Sequence, residues 1–80
     1  MARSLLQWAV MTDTLGSRLR AARTAAALTR HATAVAVEVS PDTIGRWERD
    51  DTAPDVGELR RLAGVYGVSV SALMGEAVGR

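Results

Sequence analysis

Ser40 followed directly by Pro41 marks a helix start more sharply than any other pair in this chain. A serine hydroxyl can accept from the amides of a first helical turn. Proline suits the first helical position because its φ is already set and its missing N–H does no harm there. Ile44 and Trp47 follow three residues apart and would face inward together. A chain holding this segment must bury that apolar side against other elements, and the rest of the sequence offers helices to do so.

Helical spacing recurs throughout, and apolar alternation with period two does not persist anywhere. Leu15, Leu19, Ala22 and Ala26 fall on one face of a helix entered through Asp13 or Thr14, with Arg18, Arg20 and Arg23 on the other face. Thr29 is a good N-cap for a second helix running to about Val37. After the third helix the stretch DDTAPD breaks the pattern. Asp55 and Glu58 then form a capping-box-like pair, opening a fourth helix with Leu59, Leu62, Ala63 and Tyr66 as its apolar stripe and Gly67 at its end. Ser69 caps a last short helix with Val70, Leu73 and Met74. The expected fold is all-α, with five short helices and tight connections.

Size and composition limit what such a fold can do. The chain has 80 residues, enough for one domain. A domain of this size buries only about 60% of the surface its unfolded chain exposes. Efficient helix packing or a partner chain is therefore needed. With no cysteine and the single histidine His31, neither a thiolate metal site, a zinc cluster nor a catalytic triad can be assembled. A phosphate-cradling glycine loop is also missing, so no enzymatic activity and no cofactor are expected. His31 reads as a surface residue. The formal net charge is +1 and every basic residue is arginine. Placement matters more than the total. Arg18, Arg20, Arg23 and Arg30 occupy a stretch without acids, whereas Asp50 to Glu58 is acidic.

Residues 1–11 read as an N-terminal extension, 12–76 as the helical domain and 77–80 as a tail. The apolar SLLQWAV stretch behind Arg3 is too short to span a bilayer and carries no proper cleavage site. Met11 is an alternative start. A soluble, cytoplasmic protein is expected.

The segment LTRHATAVAVEVSPDTIGRWE, residues 28–48, resembles the Cro/phage-repressor family of helix-turn-helix proteins. Leu28, Thr29, Ala34, Val39, Ser40, Thr43, Ile44, Trp47 and Glu48 match that family's pattern without a gap. The likeness continues through Pro54 and LRRLAGVYGVSVSALM, so it spans roughly residues 14 to 74. The resemblance implies a five-helix lambda-repressor-like domain whose third helix enters the DNA major groove.

Residue roles follow from the resemblance. Ala34 sits where the second and third helices cross, and Val37, Val39, Ile44 and Trp47 fill the inner face. Pro41, Asp42, Gly45 and Arg46 are left on the outer face. Pro41, Asp42 and Arg46 match base-contacting positions, with Arg46 suited to donate twice to guanine and Asp42 to accept from a cytosine amino group. Thr29, Arg30, Thr43 and Arg49 are expected around the phosphates, and Ser40 and Gly45 complete the expected DNA-binding set. Arg23 and Glu48 match positions that form an architectural salt bridge, and Trp47 belongs to the core beside them. Tyr66, Val68, Val70 and Leu73 match the usual dimer surface.

Three residues depart from the family pattern. Glu38 replaces a turn glycine whose backbone is left-handed, which costs roughly 1 kcal/mol and predicts a distorted turn. Thr33 replaces a buried leucine. Asp50 replaces a glycine at the end of the third helix, and with Asp51 it brings negative charge near the expected phosphates. These changes bear on DNA affinity more than on fold.

The leading expectation is a dimeric transcriptional regulator of phage-immunity or Cro type, binding operator DNA. The alternative is a protein-interaction module, an antitoxin or antirepressor, that keeps the fold and binds DNA weakly. Leu5, Leu6, Trp8 and Val10 would then extend the core, bind a protein partner or mediate dimerisation.

Overall fold

Five helices joined by short turns make up the described part of the chain, residues 14–75 of a computed structural model. They are α1 (Leu15–Ala25), α2 (Arg30–Val37), α3 (Pro41–Glu48), α4 (Val56–Tyr66) and α5 (Val70–Met74). No strand occurs among the described residues. The N-terminal extension with Leu5, Leu6, Trp8 and Val10, and the tail 77–80, lie outside the described residues.

Each helix begins at a residue whose side chain accepts from a first-turn amide. Thr14, Thr29, Ser40, Asp55 and Ser69 all have extended backbones and fill this role. Every such acceptor satisfies one of the donors a helix start leaves unpaired. Of the two candidate caps for α1, Thr14 is the one used. Asp55 and Glu58 form a complete capping box, each side chain accepting from the other's backbone amide.

The helix ends share a second device. After α1, Leu28 N donates to Arg23 O and Ala27 N to Thr24 O. The same pair of bonds follows α2, through Val39 and Glu38, and α3, through Asp51 and Asp50. This Schellman geometry needs one residue in the left-handed region. Ala27 (φ 60), Glu38 (φ 64) and Asp50 (φ 63) occupy it, although none is glycine. The expected distortion of the Glu38 turn does not occur. Glu38 accepts the left-handed backbone, and the bond from Val39 N to Ala34 O holds at 3.0 Å.

The core is one cluster assembled from all five helices: Leu19, Ala34, Val37, Ile44, Trp47, Leu59, Leu62, Ala63, Tyr66 and Leu73. α1 packs on α3 and α5, α2 on α3 and α4, and α4 on α5. Tyr66 and Leu73 belong to this core, at 7% and 2% exposure, so their assignment to a dimer surface is corrected. They complete the apolar interior of the described residues. Val68 is exposed and Val70 half-buried. No described helix is long and apolar enough to cross a membrane.

Candidate nucleic-acid interface

α3 is held from behind by three separate restraints. Ile44 and Trp47 are buried on its inner side, at 1% and 4% exposure. Burying an aliphatic or aromatic side chain of this kind contributes roughly 1.5–3 kcal/mol. Ala34, fully buried on α2, keeps that helix close to α3, because a larger side chain there would hold the backbones apart.

The second restraint is an ion pair. Arg23 of α1 grips Glu48 at the end of α3 with two hydrogen bonds, Nε to Oε2 at 2.6 Å and Nη2 to Oε1 at 3.1 Å. The third guanidinium nitrogen, Nη1, donates to Leu28 O at 2.9 Å and so holds the α1–α2 turn as well. The hydrogen bond to Glu48 raises the Arg23 pKa, outweighing the opposing effect of burial. Such a fork is geometrically specific, and it anchors the end of α3 to the first helix.

The third restraint is a close approach of two backbones, which no local sequence signal marks. Gly16 lies buried against the end of α3, and a Cβ there would sit 2.5 Å from Glu48 O and 2.7 Å from Trp47 O. Its amide donates to Asp50 Oδ1 at 2.9 Å. Asp50, expected to add negative charge near phosphate, is instead directed at the N-terminus of α1.

With its inner side fixed, α3 presents Ser40, Pro41, Asp42 and Arg46 as exposed residues and Thr43 as half-buried. Ser40 Oγ accepts from Thr43 N at 3.1 Å, and the two hydroxyls lie 3.0 Å apart. Arg46 Nε meets Asp42 Oδ2 at 3.0 Å, an ion pair along one turn of the helix. Gly45 departs from the expected arrangement. It is buried, and Arg49 Nη1 lies 3.1 Å from where its Cβ would be. The long side chain of Arg49 folds back over the last turn, so Gly45 is corrected from an outer-face residue to a covered one.

Thr29 and Arg30 open α2, both exposed. Thr29 Oγ1 accepts from Ala32 N at 3.0 Å. Arg30 leans toward the same Glu48 carboxylate, with Nε 3.6 Å from Oε1. Arg49 pairs with Asp51 at 3.1 Å. Each candidate DNA-contacting arginine thus faces a carboxylate within the chain. Arg18 serves elsewhere: it donates to Leu73 O at 2.7 Å and Met74 O at 3.2 Å, capping the end of α5.

Thr33 is fully buried, and its hydroxyl has no hydrogen-bond partner among the described residues. The Tyr66 phenol lies near enough to feel it but outside hydrogen-bonding geometry. Burial raises the Tyr66 pKa above its usual value, and the Thr33 hydroxyl offsets part of that shift. Thr33 stands where the family pattern implied a buried leucine, and it brings a buried oxygen to that place.

A family model described as a helix-turn-helix domain matches residues 14–74, most of the chain and nearly all of its described part. The chain belongs to the helix-turn-helix family. No curated protein and no solved structure matches it. The helix-turn-helix assignment joins α2, the Glu38–Ser40 turn and α3 into one unit and supports a DNA-binding regulator. In this unit α2 and α3 keep their angle through buried Ala34, Val37 and Ile44, while the N-terminal part of α3 remains open to solvent.

Proposed function

We propose that this helix-turn-helix protein is a sequence-specific transcriptional regulator, of the phage-immunity or Cro repressor type, that places α3 in the major groove of operator DNA. It acts without catalysis, as a homodimer, in the cytoplasm of a bacterium or a phage-infected cell. The observation that carries the reading is the two-sidedness of α3. Ile44, Trp47 and Glu48 are locked to the protein, while Pro41, Asp42 and Arg46 stand exposed near its N-terminal end. A recognition helix needs that arrangement, since its first turns approach base edges and its far side must not yield.

Thr29, Arg30, Ser40, Thr43 and Arg49 flank α3 and suit phosphate contacts that set its position without reading sequence. A single α3 covers a few base pairs. Two copies, about 34 Å apart on a palindrome, multiply the specificity. Val68 and Val70 remain from the expected dimer surface. Val68 also lines an open, largely apolar groove of about 290 Å³ between α1 and α5, with Ala21, Ala25 and Ala72.

The protein-interaction reading draws support from one observation. Arg30, Arg46 and Arg49 each face an acidic side chain, which reduces the positive field available to phosphates. Selection of bound duplexes from a random library, followed by affinity measurement across a salt series, separates the two. An operator-binding protein enriches one sequence and loses affinity steeply as salt rises. No enrichment, with little salt dependence, would favour the interaction module.

A further inference from the structure

The groove between α1 and α5 holds about 290 Å³ and has largely apolar walls. Ala21, Ala22 and Ala25 form one side, and Val68 and Ala72 the other. Small side chains on both sides leave the space, and Ala25, Val68 and Ala72 are exposed to it. Arg18 lines the groove too, and its guanidinium is engaged with Leu73 O and Met74 O at the end of α5. No acidic side chain lines it among the described residues, so its chemistry suits an apolar occupant rather than a charged one.

We propose that the N-terminal segment of this chain, residues 4–10, folds back along α1 and seats Trp8 in this groove. Composition favours that occupant. SLLQWAV brings Leu5, Leu6, Trp8 and Val10 close together, whereas the tail 76–80 offers Val78 as its one large apolar side chain. The point of attachment favours it as well. Thr14 is the N-cap of α1 with an extended backbone (φ −95, ψ 160), so the chain leaves the helix axis there. Leu15, Arg18, Ala22 and Ala25 follow at helical spacing, which puts the groove on the stripe of α1 that starts beside the segment.

Reach and size agree. Ala21 and Ala25 lie about 10–17 Å along α1 from Thr14, at roughly 1.5 Å per residue. The stretch from Trp8 to Thr14 spans up to about 20 Å when extended. A dry apolar cavity of roughly 150 Å³ is enough to bind benzene. The larger groove here admits an indole with an aliphatic side chain beside it. Docking covers Val68, so the segment and a second copy of the chain cannot both use this surface. Pairing through Val68 then requires the segment to leave, whatever α3 reads.

Acrylamide quenching of tryptophan emission tests the assignment in the full chain, whose two tryptophans are Trp8 and Trp47. Trp47 is buried, and Trp8→Ala isolates its emission, so the difference between the two proteins reports Trp8. Trp8 should be protected relative to a peptide of residues 1–13, at every concentration where ultracentrifugation shows a single chain. Val68→Glu puts a charge on the groove wall at an exposed position and should abolish that protection. Ala25→Glu, also exposed, takes its place if circular dichroism shows that Val68→Glu does not fold. Quenching of Trp8 as free as in the peptide overturns the proposal. Protection that appears only when dimers form also overturns it, because a second copy then fills the groove. Protection that survives the glutamate substitution does so too, because the segment then docks elsewhere.

Discussion

Asp50 accepts a hydrogen bond from the amide of Gly16 at 2.9 Å, so the residue that ends α3 also caps the first turn of α1. The contact joins residues 34 positions apart. It places a carboxylate at a helix N-terminus, where unpaired amides and the helix dipole both favour it. The left-handed backbone at Asp50 turns the side chain toward α1, and the missing Cβ at Gly16 lets the two helices meet.

That relationship predicts a result opposite to helix propensity. Gly16→Ala should gain about 1 kcal/mol from propensity alone. Its Cβ would instead run into the carbonyls of Trp47 and Glu48, and we expect a net loss of about 1–3 kcal/mol in urea unfolding. Asp50→Ala should also destabilise, since it removes the cap and keeps the left-handed strain. Asp50→Gly should lose less than Asp50→Ala because it relieves that strain.

Ala27 and Glu38 occupy left-handed positions and accept no comparable side-chain cap. Ala27→Gly and Glu38→Gly should each stabilise the fold by about 0.5–1 kcal/mol, the relief of strain exceeding the added flexibility of the unfolded chain. Thermal unfolding of the two single variants and the double variant checks this. The effects should add, because the two turns lie at opposite ends of α2.

Removing one partner of the Arg23–Glu48 pair should cost far more than replacing both. Arg23→Ala leaves the Glu48 carboxylate, 5% exposed, with only the longer contact to Arg30, and a loss of about 3 kcal/mol is expected. Arg23→Met combined with Glu48→Leu should recover a substantial part of it. Equilibrium unfolding of both variants measures the difference, and equal losses would contradict the account.

Thr33→Val should stabilise the protein by about 1–2 kcal/mol. The substitution keeps the volume and branching while removing a buried hydroxyl that has no partner among the described residues. A lower unfolding midpoint in urea would show that the oxygen contributes more than its burial costs.

The raised pKa of Tyr66 ties stability to alkaline pH. Burial favours the neutral phenol in the folded state, so the folded pKa lies above the unfolded value of 10.0. The associated stability is fully present below pH 10 and is lost as pH rises through the folded pKa. Tyr66→Phe should flatten the fall in stability above pH 10, as followed by circular dichroism. An unchanged alkaline slope would remove Tyr66 as its source.

The local sequence determined where the helices start and stop. Thr14, Thr29, Ser40, Asp55 and Ser69 cap the amides three residues ahead of them, and Gly67 ends α4, so these signals act within one turn and can be read from neighbours alone. The inward side of α3 was legible for the same reason, through the spacing of Ile44 and Trp47. Tertiary structure decided which long side chains were already engaged and which surfaces were already used. Arg18 reaches α5 across 55 residues, Asp50 reaches Gly16 across 34, Arg49 covers Gly45, and Tyr66 and Leu73 turn into the core. An arginine or a glycine looks the same in sequence whether it faces solvent or another helix, because what it meets depends on how distant segments pack.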